Sequence, residues 1–161
     1  MRHLHLDRIV SLERSVRAVG VRTVALSDDV FGEHFPGNPV LPGVYLIEGL
    51  AQTAGLLLWE SCDHTRIAVM VSVDRARFTS FARPGDTVRL AVDLESYDDR
   101  AARVRGVATV GERQIAVAAL TFSMQEPDSV VAPVFRPFWE HAVDVWLGRY
   151  PGTTARGATD A

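Results

Sequence analysis

FGEHFPGNPVLPGVYLIEGLAQTAGLLLWE, residues 31–60, decides the fold. It joins a Gly/Pro-rich turn to a long apolar run. Pro36, Gly37, Pro39, Pro42 and Gly43 predict a rigid, irregular loop. Pro42 suits the first turn of a helix, where its missing N–H would have no partner anyway. Across residues 43–59 the side chains include Val44, Leu46, Ile47, Leu50, Ala51, Ala54, Leu56, Leu57 and Leu58, with few polar interruptions. A helix apolar on all sides is expected to be buried on most of them. Its length approaches the ~20 residues of a bilayer span. Glu48 and Gln52 fall mid-run, however, and Gly49 and Gly55 weaken it. The expectation is a buried helix of a soluble domain.

Two residues in this stretch are not explained by packing. His34 sits in the turn among Phe31, Phe35, Pro36 and Gly37. Glu48 has no other charge between it and Glu60. A buried carboxyl without a partner is costly, and burial favours its neutral form. A carboxyl held neutral can act as a general acid. Taken singly, each residue reads more simply as structural. The Glu could bond a loop amide or a subunit across an interface, and the His could be satisfied by backbone. Their joint presence in one Pro/Gly frame shifts the balance towards catalysis.

HFPGNPVLPGVYLIEGLAQ, residues 34–52, resembles the active-site motif of the FabZ family, the (3R)-hydroxyacyl-acyl-carrier-protein dehydratases. His34, Phe35, Pro36, Gly37, Pro39, Pro42, Gly43, Val44, Glu48, Ala51 and Gln52 match that pattern in register. The related FabA group has Asp at the helix position, so Glu48 points to FabZ. Tyr45 and Gly49 depart from the pattern, where an aliphatic residue and Ala are usual. Both are expected near the acyl tunnel, so they bear on chain length and substrate shape. A second run, VDRARFTSFARPGDTVRLAV at residues 73–92, resembles another signature of the same family. The resemblance covers about residues 5–125.

The rest of the chain agrees with that likeness. Its 161 residues fit one domain with a real core, 47% apolar and 23% charged. A net charge of -3 argues against nucleic acid as the main partner. A single cysteine, Cys62, excludes an internal disulfide and a Cys-rich zinc site. A free thiol fits a reducing cytoplasm, and the N-terminus has no long apolar signal core. His3 and His5 alternate with Leu4 and Leu6, predicting an exposed strand face or arm. Strands are expected over residues 4–10, 15–26, 67–78, 87–94, 101–110 and 114–124, that at 67–73 being buried. Asp28 and Asp29 are read as opening, and capping, a short helical turn before His34. Together these predict an α+β fold, a long antiparallel sheet wrapped around a central helix, the hot-dog fold that the resemblance implies. Residues 1–126 form that domain in this reading. Residues 127–161 form an extension, with an amphipathic helix over 134–150 and a loose Gly/Thr/Ala-rich tail from 151. The helix is expected to pack on this domain or its dimer mate.

The resemblance implies elimination of water from a 3-hydroxyacyl thioester, giving the trans-2-enoyl product. His34 is then the base, Glu48 the acid, and the Gly43 N–H the donor to the thioester oxygen. Phe35, Pro42, Val44, Tyr45 and Gln52 are expected to line the substrate tunnel. No metal or other cofactor is implied. His34 of one protomer is expected to meet Glu48 of another, in a homodimer, a hexamer assembled from such dimers, or a pairing with a related hot-dog subunit. The substrate is expected on the phosphopantetheine arm of an acyl carrier protein. Arg75, Arg77 and Arg83 are candidates for docking that acidic partner. Fatty-acid synthesis and polyketide or polyene assembly are both open, with a lean towards a specialised pathway. Two alternatives remain, a hot-dog acyl thioesterase and a weakly active or non-catalytic partner subunit.

Overall fold

The computed structural model describes residues 4–149. Six strands form one antiparallel sheet in the order β1-β2-β4-β5-β6-β3. They are β1 (Arg8–Glu13), β2 (Arg17–Thr23), β3 (Ile67–Phe78), β4 (Thr87–Tyr97), β5 (Ala101–Val110) and β6 (Arg113–Gln125). Helix α1 (Gly43–Ser61) lies against the concave face, and α2 (Pro127–Val130) and α3 (Arg136–Trp146) follow the sheet. The expected helix over 134–150 is shorter than predicted, because Pro133–Phe135 forms a separate 3-10 turn. The tail predicted from residue 151 and His3 lie outside the described residues. No helix among the described residues is long and apolar enough to cross a membrane.

The strands alternate as a one-sided sheet requires. On β4, Val88, Leu90 and Val92 turn inward, and on β6 Ile115, Leu120 and Phe122 do the same. α1 supplies the other half of the core with Leu50, Leu57 and Leu58, all fully buried. Each such leucine contributes about 1.5–3 kcal/mol. The helix approaches the sheet closely because glycine faces it. A Cβ on Gly49 would stand 2.7 Å from the His5 carbonyl oxygen and 2.8 Å from Leu90 Cδ1.

Three expectations are corrected. β3 was expected to be buried, yet it is an edge strand whose Val69, Met70, Val71 and Val73 are exposed. His5 was expected on an exposed face, but it is buried, its ring packed at a tilt of 34° against Tyr45 with centroids 4.1 Å apart. Asp28 does not cap the turn at Asp29–Gly32; its carboxylate accepts a bond from Arg22 instead (2.8 Å).

The extension is fastened to the end of α1. Trp139 meets Trp59 edge-on, with centroids 4.6 Å apart. Arg149 donates to Glu60 Oε2 (2.7 Å), and His64 Nε2 bonds Glu60 Oε1 (2.9 Å). Burial opposes ionisation of Glu60, but these hydrogen bonds outweigh it and hold the carboxyl below its ordinary 4.5. Cys62 ends α1, its N–H on the Leu58 carbonyl (2.9 Å), and burial pushes its thiol up.

Two stability measurements check this packing. Gly49→Val should lower unfolding free energy by about 1–3 kcal/mol through overpacking. Gly55→Ala, where a Cβ meets nothing within 4 Å, should raise it by about 0.5–1 kcal/mol. The reverse order in urea denaturation would refute the helix orientation. A carboxyl with a depressed folded-state pKa stabilises the protein above its unfolded value, and that stabilisation fades as pH falls through the folded one. Glu60→Gln should therefore destabilise by about 1.5–3 kcal/mol at neutral pH. Its deficit against the parent should close as pH falls below about 4; a deficit constant with pH would show that the ion pair is not its source.

Candidate active site

The loop carrying His34 is held by a reciprocal lock. The Val40 N–H donates to the His34 carbonyl (3.0 Å), while His34 Nδ1 lies 2.7 Å from the Val40 carbonyl oxygen. A carbonyl only accepts, so Nδ1 carries the hydrogen and neutral His34 keeps its lone pair on Nε2. Between them, Phe35 and Asn38 exchange both backbone bonds (2.9 and 3.2 Å). The Phe35 ring stacks on the imidazole, centroids 4.0 Å apart, and the His34–Phe35 peptide bond is cis.

The second signature supports the first. Arg83 Nη1 donates to Asn38 Oδ1 (2.8 Å) and to the Pro39 carbonyl (3.2 Å), and the Leu41 N–H bonds the Ala82 carbonyl (2.9 Å). The turn is itself closed, with the Arg83 N–H on Asp86 Oδ2 (2.8 Å). Arg83, expected as a docking residue, is thus occupied in bracing the His34 loop.

His34, Phe35, Gly43 and Val44 line one cavity of about 460 Å³ with Phe78 and Phe81. Gly43 is the first residue of α1, so its N–H has no carbonyl one turn back. The helix dipole adds positive potential at that point. A side chain there would collide with the Phe78 ring, 2.8 Å from a Cβ.

Glu48 lines a different cavity, of about 350 Å³, along with Gln52. His34 is not among the residues that line it. Glu48 is half-buried rather than enclosed, on a stripe of α1 that looks onto this cavity beside β3. Its orientation is set by a relay. The His5 backbone N–H donates to Gln52 Oε1 (2.9 Å), which turns the Gln52 amide so that Nε2 donates to Glu48 Oε1 (3.0 Å). Oε2 of the same carboxyl is not part of that relay. The relay depends on His5, which the sequence left as an arm residue; its buried position carries no local signal.

Of the other expected tunnel residues, Pro42 and Tyr45 line neither cavity. Tyr45 packs on His5, and Gly49 packs on the His5 carbonyl and Leu90. The two departures from the family pattern thus both touch the N-terminal segment. Arg75 and Arg77 share a surface concavity of about 430 Å³ with Arg105 on β5 and with Glu95. Register joins them, since Arg105 pairs Ala119 and Ala119 pairs Arg75. Arg105 was missed in the sequence, though the alternation of β5 puts it on the outer face. Among the described residues no group of three His, Cys, Asp or Glu is gathered as a metal site.

A model of the FabA-like domain matches residues 2–119. The 3-hydroxyacyl-[acyl-carrier-protein] dehydratase FabZ of Chloroflexus aggregans is 40% identical over 125 residues, 77% of this chain and 87% of that protein. FabZ of Bacillus pumilus is 38% identical over 122 residues, 75% and 85% respectively. Among solved structures, a hot-dog-like protein from Thermanaerovibrio acidaminovorans superposes with a TM-score of 0.61 at 16% identity, covering 81% of this chain and 93% of that one. The dehydratase heterocomplex ApeI:P from Xenorhabdus doucetiae gives 0.57 at 18% identity, covering 70% and 92%. Those structural likenesses establish the hot-dog architecture, and the matched domain with its 40% identical relative establishes more: the chain belongs to the FabA-like family, on its FabZ side.

Proposed function

We propose that the chain is a cytoplasmic hydro-lyase that removes water from (3R)-3-hydroxyacyl thioesters borne on an acyl carrier protein. His34 Nε2 takes the α-proton. The charge that develops on the thioester oxygen is met by the Gly43 N–H at the start of α1. The bond from the β-carbon to its hydroxyl breaks as Glu48, protonated beforehand, delivers its proton to the leaving oxygen. Water and the trans-2-enoyl thioester result, and the α-proton remains on His34 for return to the carboxylate. The same groups run hydration in reverse.

The observation that carries this reading is the tautomer of His34. Its Nδ1 hydrogen is bound to the Val40 carbonyl, so the basic nitrogen is the one left for chemistry, in the cavity that Gly43 also lines.

His34 and Glu48 line separate cavities of one chain, which supports a site completed by a second copy. β3 supplies a means of assembly. A 12-residue edge strand that exposes Val69, Met70, Val71 and Val73 is a surface for pairing. Two copies joined along β3 would set the His34 cavity of one against the Glu48 stripe of the other. Arg75, Arg77 and Arg105 then offer positive charge to an acidic carrier protein.

His34→Ala and Glu48→Gln should each lower kcat by at least ~10² with a 3-hydroxyacyl carrier thioester. Enoyl product identifies the lyase, whereas free acid would mean a thioesterase and no turnover a binding subunit. Refolding the two inactive variants together at equal amounts should restore about a quarter of the parent rate, because half the dimers are mixed and each holds one intact site. A mixture as inactive as its components would place both groups in one chain's site.

A further inference from the structure

Gly55 is unlike Gly49. A Cβ on Gly55 would meet nothing within 4 Å. Packing inside this chain does not call for glycine there, although glycine in a helix interior is about 1 kcal/mol less favourable than alanine. The absent side chain leaves open the cavity that Glu48 lines. On α1 its wall is Ala51 and Leu56 beside a stripe of Glu48, Gln52, Gly55 and Trp59. These stand four, three and four residues apart, on one helix face. At 1.5 Å per residue the stripe is roughly 16 Å long. On α1 its polar end is Glu48 and Gln52; the remainder is apolar, with Ala68 and Met70 of β3 across from it. At about 350 Å³ it falls within the range of small-molecule sites.

The end near Trp59 is lined by α3, through Trp139, Val143 and Trp146. These recur at four and three residues, the stripe that α3 turns inward, while Phe138 stays exposed. α3 is held there near both its ends, by the Trp59–Trp139 contact and by Arg149 on Glu60. It also lies beyond residues 2–119, so this wall is added to the family domain.

We propose that this cavity takes the acyl chain of the substrate and that α3 closes its far end, so that Trp139, Val143 and Trp146 set the longest chain accepted. The inference rests on the dehydratase reading, in which Glu48 acts at the β-hydroxyl. The carbons beyond that hydroxyl then continue from Glu48 over Gly55 toward Trp59. With C–C bonds of about 1.5 Å, an extended chain of about a dozen carbons spans the stripe, and the indoles shorten what fits.

The test is kcat/KM for 3-hydroxyacyl carrier thioesters from C4 to C16, with the parent chain, Trp146→Ala and Gly55→Leu. The C16-to-C4 ratio should rise at least ~10-fold in Trp146→Ala and fall at least ~10-fold in Gly55→Leu. Gly55→Leu guards against a folding defect in the tryptophan variant, because its side chain enters open space. Ratios unchanged in both variants overturn the proposal. So does a Gly55→Leu protein that loses its dimer on size exclusion and all chain lengths equally, since the cavity would then hold the partner subunit. If the parent turns over no chain length, the dehydratase reading fails by itself. Equilibrium binding of free fatty acids of the same lengths then reads the cavity directly, with the same opposite shifts expected and their absence again decisive.

Discussion

A helix of 19 residues, apolar on nearly every side, is set against one sheet, and a single sheet can cover only part of it. The rest of the structure follows from that constraint. Leu50, Leu57 and Leu58 face the strands, and the glycine at position 49 brings the helix axis close to them. What remains is a stripe through Glu48, Gln52 and Gly55, half-buried beside the edge strand β3. The N-terminal segment covers part of it through His5, and the extension covers its end through α3. The remainder is a groove with one carboxyl, whose direction is fixed by the amide of Gln52.

The other functional group is held by a different kind of economy. The loop before α1 has few apolar residues to bury, so it is fixed by hydrogen bonds. His34 and Val40 lock each other, and Arg83 reaches from a turn far along the chain to hold Asn38 and Pro39. This accounts physically for two motifs appearing together, since one is the brace of the other. Charge serves here as geometry, whereas Arg75, Arg77 and Arg105 gather on the outer face of β3 and β5.

Residues 31–60 were readable because every local signal agreed. Pro42 starts the helix and the apolar run sustains it, so the observed bounds nearly match those expected. The strands from residue 67 onward were readable from alternation, whereas those expected over 4–10 and 15–26 run Arg8–Glu13 and Arg17–Thr23. Less legible were residues whose neighbours are distant in sequence. Gly49 looked close to the tunnel because it adjoins Glu48, but adjacent helix positions face about 100° apart, and Tyr45 stands three residues away. They meet His5 instead. β3 looked buried because Val and Ile enrichment reports that a strand becomes covered, not by which chain.

The sequence by itself determined the fold class, the helix with its single carboxyl, the loop with its single histidine, and the family. Those depend on periodicity and on turn chemistry, which are local. Only the tertiary structure decided which nitrogen of His34 is basic, which way Gln52 turns, that Arg83 braces the His34 loop, and that His34 and Glu48 line different cavities. Each of these depends on a contact between segments far apart along the chain. The strand order and the close approach of α1 create those contacts, and no window of the sequence contains them.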